Sequence, residues 1–262
     1  MHGSLRPAAP TNGMHVMNLD LTVPFGLKEG TDELLDVTQV AQGKPCNCVC
    51  PSCKTPLIAH QGEQLVWHFA HASRSVYSKT ERQCAFSYFV SVRMMVRQII
   101  GSNFVMALPA YEGKTYHQFP DGYRAVFFPV CAPQTITLAN IQVEKVFDNS
   151  LVDIHGYVGG VDFSVYLVHP GREVPPELHQ PKSDRCGIIA IALDKLPRCF
   201  NDGRAAGVTY KETLRRFLAD DTASKLWIYH PRYERQRRSA IEEQERIVAT
   251  YISKSKARRR QR

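Results

Sequence analysis

Leu151-Val-Asp-Ile-His-Gly-Tyr-Val-Gly-Gly-Val-Asp-Phe-Ser-Val-Tyr-Leu-Val-His169 reads as a complete β-hairpin. Two runs rich in β-branched and aromatic residues flank Gly159 and Gly160, a pair that readily takes the left-handed positions of a tight hairpin turn. With Val158 facing Val161, Tyr157 falls opposite Asp162, His155 opposite Ser164 and Asp153 opposite Tyr166. Side chains alternate between the two faces of a strand, so these six share one face while Phe163, Val165 and Leu167 fill the other. A polar strip of this kind suits an active site, and it equally suits the solvated face of an antiparallel hairpin.

Outward from the hairpin, strands are expected over 136–147, 187–193 and 226–229, with a further strand at 34–40 leading into a cluster of cysteines. The run 84–100 lacks Gly and Pro and reads as a helix ended by Gly101. Phe86, Phe89, Val90, Met94 and Val96 give that helix its apolar positions, and Arg93 and Arg97 a solvated face. A second amphipathic helix is expected over 210–220, burying Leu214, Phe217 and Leu218. A charged helix starts near Tyr233 with Ile241, Val248 and Ile252 as sparse anchors. The chain divides into a poorly ordered segment 1–33, a zinc-binding module 34–75, an α/β body 76–230 and a basic helix and tail 231–262. The expected class is α+β or α/β, a small metal module joined to a mixed sheet with flanking helices.

Composition narrows the function classes. The 262 residues are 44% hydrophobic, 10% aromatic and 22% charged, an ordinary globular balance. No apolar run approaches the roughly 18 residues of a membrane span, and the first twenty residues lack the apolar centre of a signal peptide. The expectation is a cytoplasmic protein with no membrane partner. In such a compartment eight cysteines point to metal or thiol chemistry rather than a disulfide framework. The net charge of +8 is concentrated at one end: from Pro231 to Arg262 there are 11 Lys or Arg against 4 Asp or Glu, and the other 230 residues hold 22 against 21.

The strongest local signal is Cys50-Pro51-Ser52-Cys53, followed by His68-Phe69-Ala70-His71. Two thiolates in a Cys-x-x-Cys turn and two histidines three apart on a helical turn would meet at one tetrahedral ion. Soft nitrogen and sulfur donors without a carboxylate suit structural Zn²⁺. Cys46 and Cys48 approach the same place and are alternatives for one ligand. His60 is near only in sequence, and Cys84, Cys131, Cys186 and Cys199 read as scattered, small, half-buried residues.

The run Cys46 to Cys53, then Leu57-Ile-Ala-His-Gln-Gly62, then Trp67-His-Phe-Ala-His71 resembles the N-terminal module of the competence protein CoiA-like family. Weaker likeness continues through Val152-Asp153-Ile154, the strand Phe163 to His169, Lys182, Ile189 to Asp194 and Trp227 to Pro231. The resemblance implies a restriction-endonuclease-like core of the PD-(D/E)xK type acting on DNA. Such sites hold Mg²⁺ between acidic side chains on adjacent strands, with a lysine activating water. Asp153 stands on the strand expected to carry the metal-binding aspartate. The acid-x-Lys pair is missing, because Ser164-Val165-Tyr166 occupies its place. Glu144 on the preceding strand and Lys182 in a later loop are the candidate replacements.

Two readings follow. One is a Mg²⁺-dependent DNA nuclease of recombination, transformation or mobile-element biology, with Asp153, Glu144 and Lys182 as catalytic residues. The other is a nuclease-like fold without catalysis, a DNA-binding accessory with a structural zinc site. Both expect DNA as partner, single-stranded or branched, alongside recombination proteins. A zinc-bearing adaptor that binds only protein is the third, favoured by the near-neutral body and weakened by the basic tail.

Overall fold

The computed structural model describes residues 22–63, 66–72 and 87–260. The N-terminal part is made of short strands. β1 (Phe25–Lys28) lies between β2 (Leu34–Asp36) and β3 (Cys48–Val49), and β4 (Leu57–His60) pairs antiparallel with β5 (His68–His71). Val23 bridges to Phe69, which joins the two small sheets. β1 falls within the segment expected to be poorly ordered, yet Phe25 is fully buried. The Gly and Pro content upstream hid a short apolar strand that pairs with the two strands following it. Residues 1–21 of that segment lie outside the described residues.

The body follows as α1 (Tyr88–Ile99), β6 (Asn103–Leu108), β7 (Tyr111–Phe119), β8 (Gly122–Cys131), β9 (Gln134–Phe147), β10 (Ser150–Val158), β11 (Val161–Val168) and β12 (Cys186–Ala192). The chain then forms α2 (Leu196–Ala205), α3 (Tyr210–Asp220), β13 (Lys225–Tyr229) and α4 (Tyr233–Arg260). The main sheet has the order β13-β12-β11-β10-β9-β6, mixed because β11 and β12 run parallel while every other pair is antiparallel. Gly159 and Gly160 take φ of +57° and +81°, the left-handed pair a two-residue hairpin needs. The register of Ile154 to Val158 on Val161 to Val165 is the one the turn dictates.

One face of the sheet carries Ile154, Phe163, Val165, Leu167, Ile189 and Ile191. These pack with Val92, Met95 and Val96 of α1 and Leu214, Phe217 and Leu218 of α3. The same cluster runs on without a break through Phe200 of α2 into Phe25, Leu57 and Phe69 of the N-terminal strands. The opposite face has a smaller core of Val152, Tyr166, Cys186 and Ile188 under Leu178, which a 3-10 turn (Pro176–His179) brings down.

Polar contacts lock the N-terminal strands to the helices. The Gln98 amide of α1 accepts from the Leu34 N–H at 2.7 Å and donates to the Leu34 carbonyl at 3.0 Å. The buried Asp36 carboxylate accepts from Thr38 N (2.8 Å), Thr38 Oγ1 (2.8 Å) and Lys211 N at the start of α3 (2.6 Å). Burial pushes the Asp36 carboxyl up, and these donors oppose the shift.

β7 and β8 form a separate two-stranded ribbon, and α4 lies along one of its faces. Val248, Ala240 and Ile252 of α4 meet Phe119 and Val126 there. No element was expected over 103–131, although Tyr111 to Phe119 and Gly122 to Cys131 alternate inward and outward on either side of Pro120-Asp121. Arg93 and Arg97, expected on a solvated face, point instead at the sheet, where Asp153 and Glu144 receive them.

The continuous core makes the N-terminal strands and the body one cooperative unit, so chemical denaturation should give a single transition by all probes. Asp36→Ala leaves buried N–H groups unpaired and should cost about 2–3 kcal/mol, read as a lower denaturant midpoint in that same transition. Two separate transitions would contradict the shared core.

Candidate metal centre

The strand β3 ends at Val49, and the chain turns at once through Cys50-Pro51-Ser52-Cys53 before β4 begins. Backbone bonds close this turn: Cys50 N donates to Thr55 O (2.9 Å) and Lys54 N to Cys50 O (2.9 Å), with Lys54 held at φ +58°. The Cys53 N–H points at Cys50 Sγ, 3.5 Å away. An amide aimed at a sulfur favours the thiolate form that a metal requires.

β5 supplies the third donor. Leu57 pairs with His71 and Ala59 with Phe69, so His71 shares the inward face with the fully buried Phe69. The donor atoms of Cys50, Cys53 and His71 all lie within 4.8 Å of one another. A Cys-Cys-His group of this size fits Zn²⁺, whose ligands stand about 2.0–2.3 Å from the ion. Zn²⁺ bound there would tie the β3–β4 turn to the end of β5 and serve as a structural clamp.

His68 does not join this cluster, which corrects the expected ligand set. The two histidines stand on a strand, not a helical turn, and positions three apart on a strand face opposite ways. His68 stacks instead on His60 across the hairpin, with ring centroids 5.1 Å apart, and its Nδ1 lies 2.8 Å from Val66 O. Burial pushes its pKa down. Cys46 and Cys48 are engaged elsewhere: Cys46 Sγ donates to Leu57 O (3.3 Å) and Cys48 Sγ to Cys46 O (3.2 Å). Burial first, and the Cys46 thiol beside it, push Cys48 up to about 12, so it remains a thiol. Cys84 lies outside the described residues.

The three candidate catalytic residues are each committed to a partner of opposite charge. Asp153 is 5% exposed, and its Oδ1 accepts from Arg93 Nε of α1 at 2.7 Å. Its Oδ2 accepts from Arg172 Nη1 at 2.7 Å and from the Leu167 N–H at 2.7 Å. The Arg172 guanidinium is stacked 3.8 Å from the Tyr166 ring. Glu144 takes the left-handed φ of +52° and pairs with Arg97, one helical turn beyond Arg93. Lys182 donates its N–H to Asp148 Oδ2 (2.7 Å), and its exposed ammonium lies 3.9 Å from Asp148 Oδ1. Two guanidinium groups therefore stand at Asp153 where a divalent ion would have to approach, and the arrangement gives Mg²⁺ no support.

Alternation along β10 is broken at Asp153. Ile154 packs with Val165 on the helix-covered face, whereas Val152 packs with Tyr166 on the other. His155 and Ser164 pair as expected, Nδ1 to Oγ at 3.0 Å, and His155 Nε2 lies 3.2 Å from Asp162 Oδ1 without hydrogen-bond alignment. This Ser, His and Asp set has the composition of a hydrolytic triad, but Ser164 is fully buried and His155 is 1% exposed. Burial, then Lys145, push the pKa of the imidazole down. No substrate reaches that hydroxyl, so the group is internal packing.

Residues 34–76 match the family model for the N-terminal domain of competence protein CoiA. The matched stretch holds all three converging donors and leaves the body unassigned. None of the curated proteins and none of the solved structures compared matches the chain. Among the described residues no helix is long and apolar enough to cross a membrane.

Purified protein should carry about one equivalent of zinc, one ion for the single converging group. Elemental analysis of Cys53→Ser and His71→Ala should find that metal lost, and His68→Ala should retain it. Zinc lost from His68→Ala and kept by His71→Ala would reverse the assignment.

Proposed function

We propose that this chain is a DNA-binding accessory of DNA uptake or recombination, related to CoiA through its zinc-bearing N-terminal module, whose nuclease-like body does not cleave. The observation that carries the reading is the double-arginine clamp on Asp153. A carboxylate whose two oxygens accept two guanidinium groups and a backbone N–H has little capacity left for a metal ion. The missing acid-x-Lys pair agrees with this, and so does the distance in sequence and partner that separates Lys182 from Asp153.

DNA is the partner because positive charge gathers where a partner can reach it. The body is nearly neutral, whereas α4 ends in Lys254, Lys256 and Arg258 on exposed positions of a helix that no acid shares beyond Glu245. Phosphate contacts by such residues release counterions and give sequence-independent affinity. The mixed sheet with helices on one face and the similarity of residues 34–76 to the CoiA N-terminal domain support a role in DNA handling.

The decisive assay offers linear, branched and single-stranded DNA with Mg²⁺ or Mn²⁺. The chain should bind DNA and leave it intact. Asp153→Asn should leave that outcome unchanged while lowering stability by about 3–5 kcal/mol, the cost of breaking a buried ion pair on one side. Cleavage by the natural chain that Asp153→Asn abolishes would establish the nuclease reading instead. Deleting residues 253–262 should weaken DNA binding and flatten its dependence on salt, measured by anisotropy across a salt series.

A further inference from the structure

The ribbon β7–β8 has two faces of different character. Phe119, Val126 and Phe128 point toward α4, where Tyr233 lies against Phe128 and His117 Nε2 lies 2.9 Å from Glu245 Oε1. The other face is bare, and it is aromatic. Tyr116, Tyr123 and Phe127 are 55%, 67% and 58% exposed. Lys114 faces Phe127 across the ribbon, Tyr116 faces Ala125, and Gln118 faces Tyr123, so the rings form a diagonal row along it. Tyr116 and Tyr123 lie nearly parallel, 17° apart with centroids 5.8 Å from each other. The Lys114 ammonium sits 5.1 Å from the Tyr116 ring and 5.3 Å from the Phe127 ring.

We propose that this open face of β7–β8 is a stacking platform for the bases of a single nucleic-acid strand, and that the end of α4 holds its phosphates. The inference rests on the DNA-binding reading above and assigns it a surface. Three features favour a nucleic-acid strand as the occupant. The exposed large side chains of the face are rings beside one cation, Lys114, and rings of this kind stack with any base. The Tyr116 and Tyr123 centroids stand 5.8 Å apart, and Phe127 lies four residues from Tyr123 along β8, spacings wider than the roughly 3.4 Å between bases of a duplex strand, so the row takes splayed, unpaired bases. Positive charge stands at the right end. α4 starts beside Lys114 and Phe128, passes His117 at Glu245 and reaches Phe119 at the ribbon tip with Val248. The residues after Ile252 therefore extend about 12 Å past the tip, at 1.5 Å per residue. They bring Lys254, Lys256 and Arg258 beyond Tyr123, and the one acid of the turn, Asp121, is paired with Arg124 at 3.1 Å.

The tail by itself offers charge without a ring, and the ribbon offers rings with a single lysine. Together they match the division of labour in single-strand binding, where the backbone follows positive charge and the bases stack. Fluorescence anisotropy of the full chain with a labelled oligothymidylate, and with the corresponding duplex, tests this directly. Tyr116→Ala combined with Tyr123→Ala should weaken single-strand binding about tenfold or more and leave the salt slope unchanged, since no phosphate contact is removed. Tyr116→Phe should bind as the natural chain does. Both tyrosines are more than half exposed, and thermal melting of the variant should match the natural chain. Binding at natural strength by the double variant, or an equal loss on duplex, would overturn the platform while leaving DNA binding by the tail intact. Loss of self-association with unchanged DNA binding would make the face a protein contact and overturn the inference as well. Absence of any DNA binding by the natural chain would overturn the platform and the accessory reading together.

Discussion

The carboxylate of Asp153 is the point on which the body turns. An ionised carboxylate at 5% exposure survives only with close partners, and here they come from three directions: α1 through Arg93, the loop after β11 through Arg172, and the β11 backbone through Leu167. Arg97 repeats the device one turn along α1 on Glu144. The pair Arg93 and Arg97 thus sets both the rotation and the height of α1 over the hairpin. α1 in turn carries Gln98, which holds β2 and with it the strands that frame the metal centre. The interaction that occupies both oxygens of Asp153 is the one that aligns the layers.

A buried ion pair is weak evidence of net stability, because the cost of desolvation offsets most of the attraction. Its value here is geometric. Apolar packing between α1 and the sheet would tolerate a sliding helix, whereas two guanidinium groups on two fixed carboxylates do not. The metal centre follows the same logic at the other end of the core. The strands β3, β4 and β5 have two to four residues each, too short to be stable alone, and an ion held between the Cys50 turn and His71 would supply the missing restraint.

Much of the sheet was legible in the sequence because its signals are local. Gly159-Gly160 allowed only one register, and 210–220 carried an amphipathic stripe bounded by the Thr209 cap. The errors came where the meaning of a residue depends on its period or on a distant partner. His68 and His71 would converge on a helix and diverge on a strand, and nothing in His-Phe-Ala-His distinguishes the two except the apolar run 57–59 that pairs with it. Arg93 and Arg97 have the spacing of a solvated stripe, and their acids lie about fifty to sixty residues away. The β7–β8 ribbon alternates clearly, but its inward face is covered by α4, more than a hundred residues later, so its aromatic rows had no visible reason.

With Arg93 and Arg172 on its carboxylate, Asp153 anchors arginine and gives a divalent ion no support. Crystals of the full chain grown with Mn²⁺, with diffraction recorded at the manganese and zinc edges, test it most directly. A zinc peak is expected among Cys50, Cys53 and His71, with no manganese peak within coordination distance of Asp153. A manganese ion bridging Asp153 and Glu144, with Arg93 displaced from the carboxylate, would contradict it.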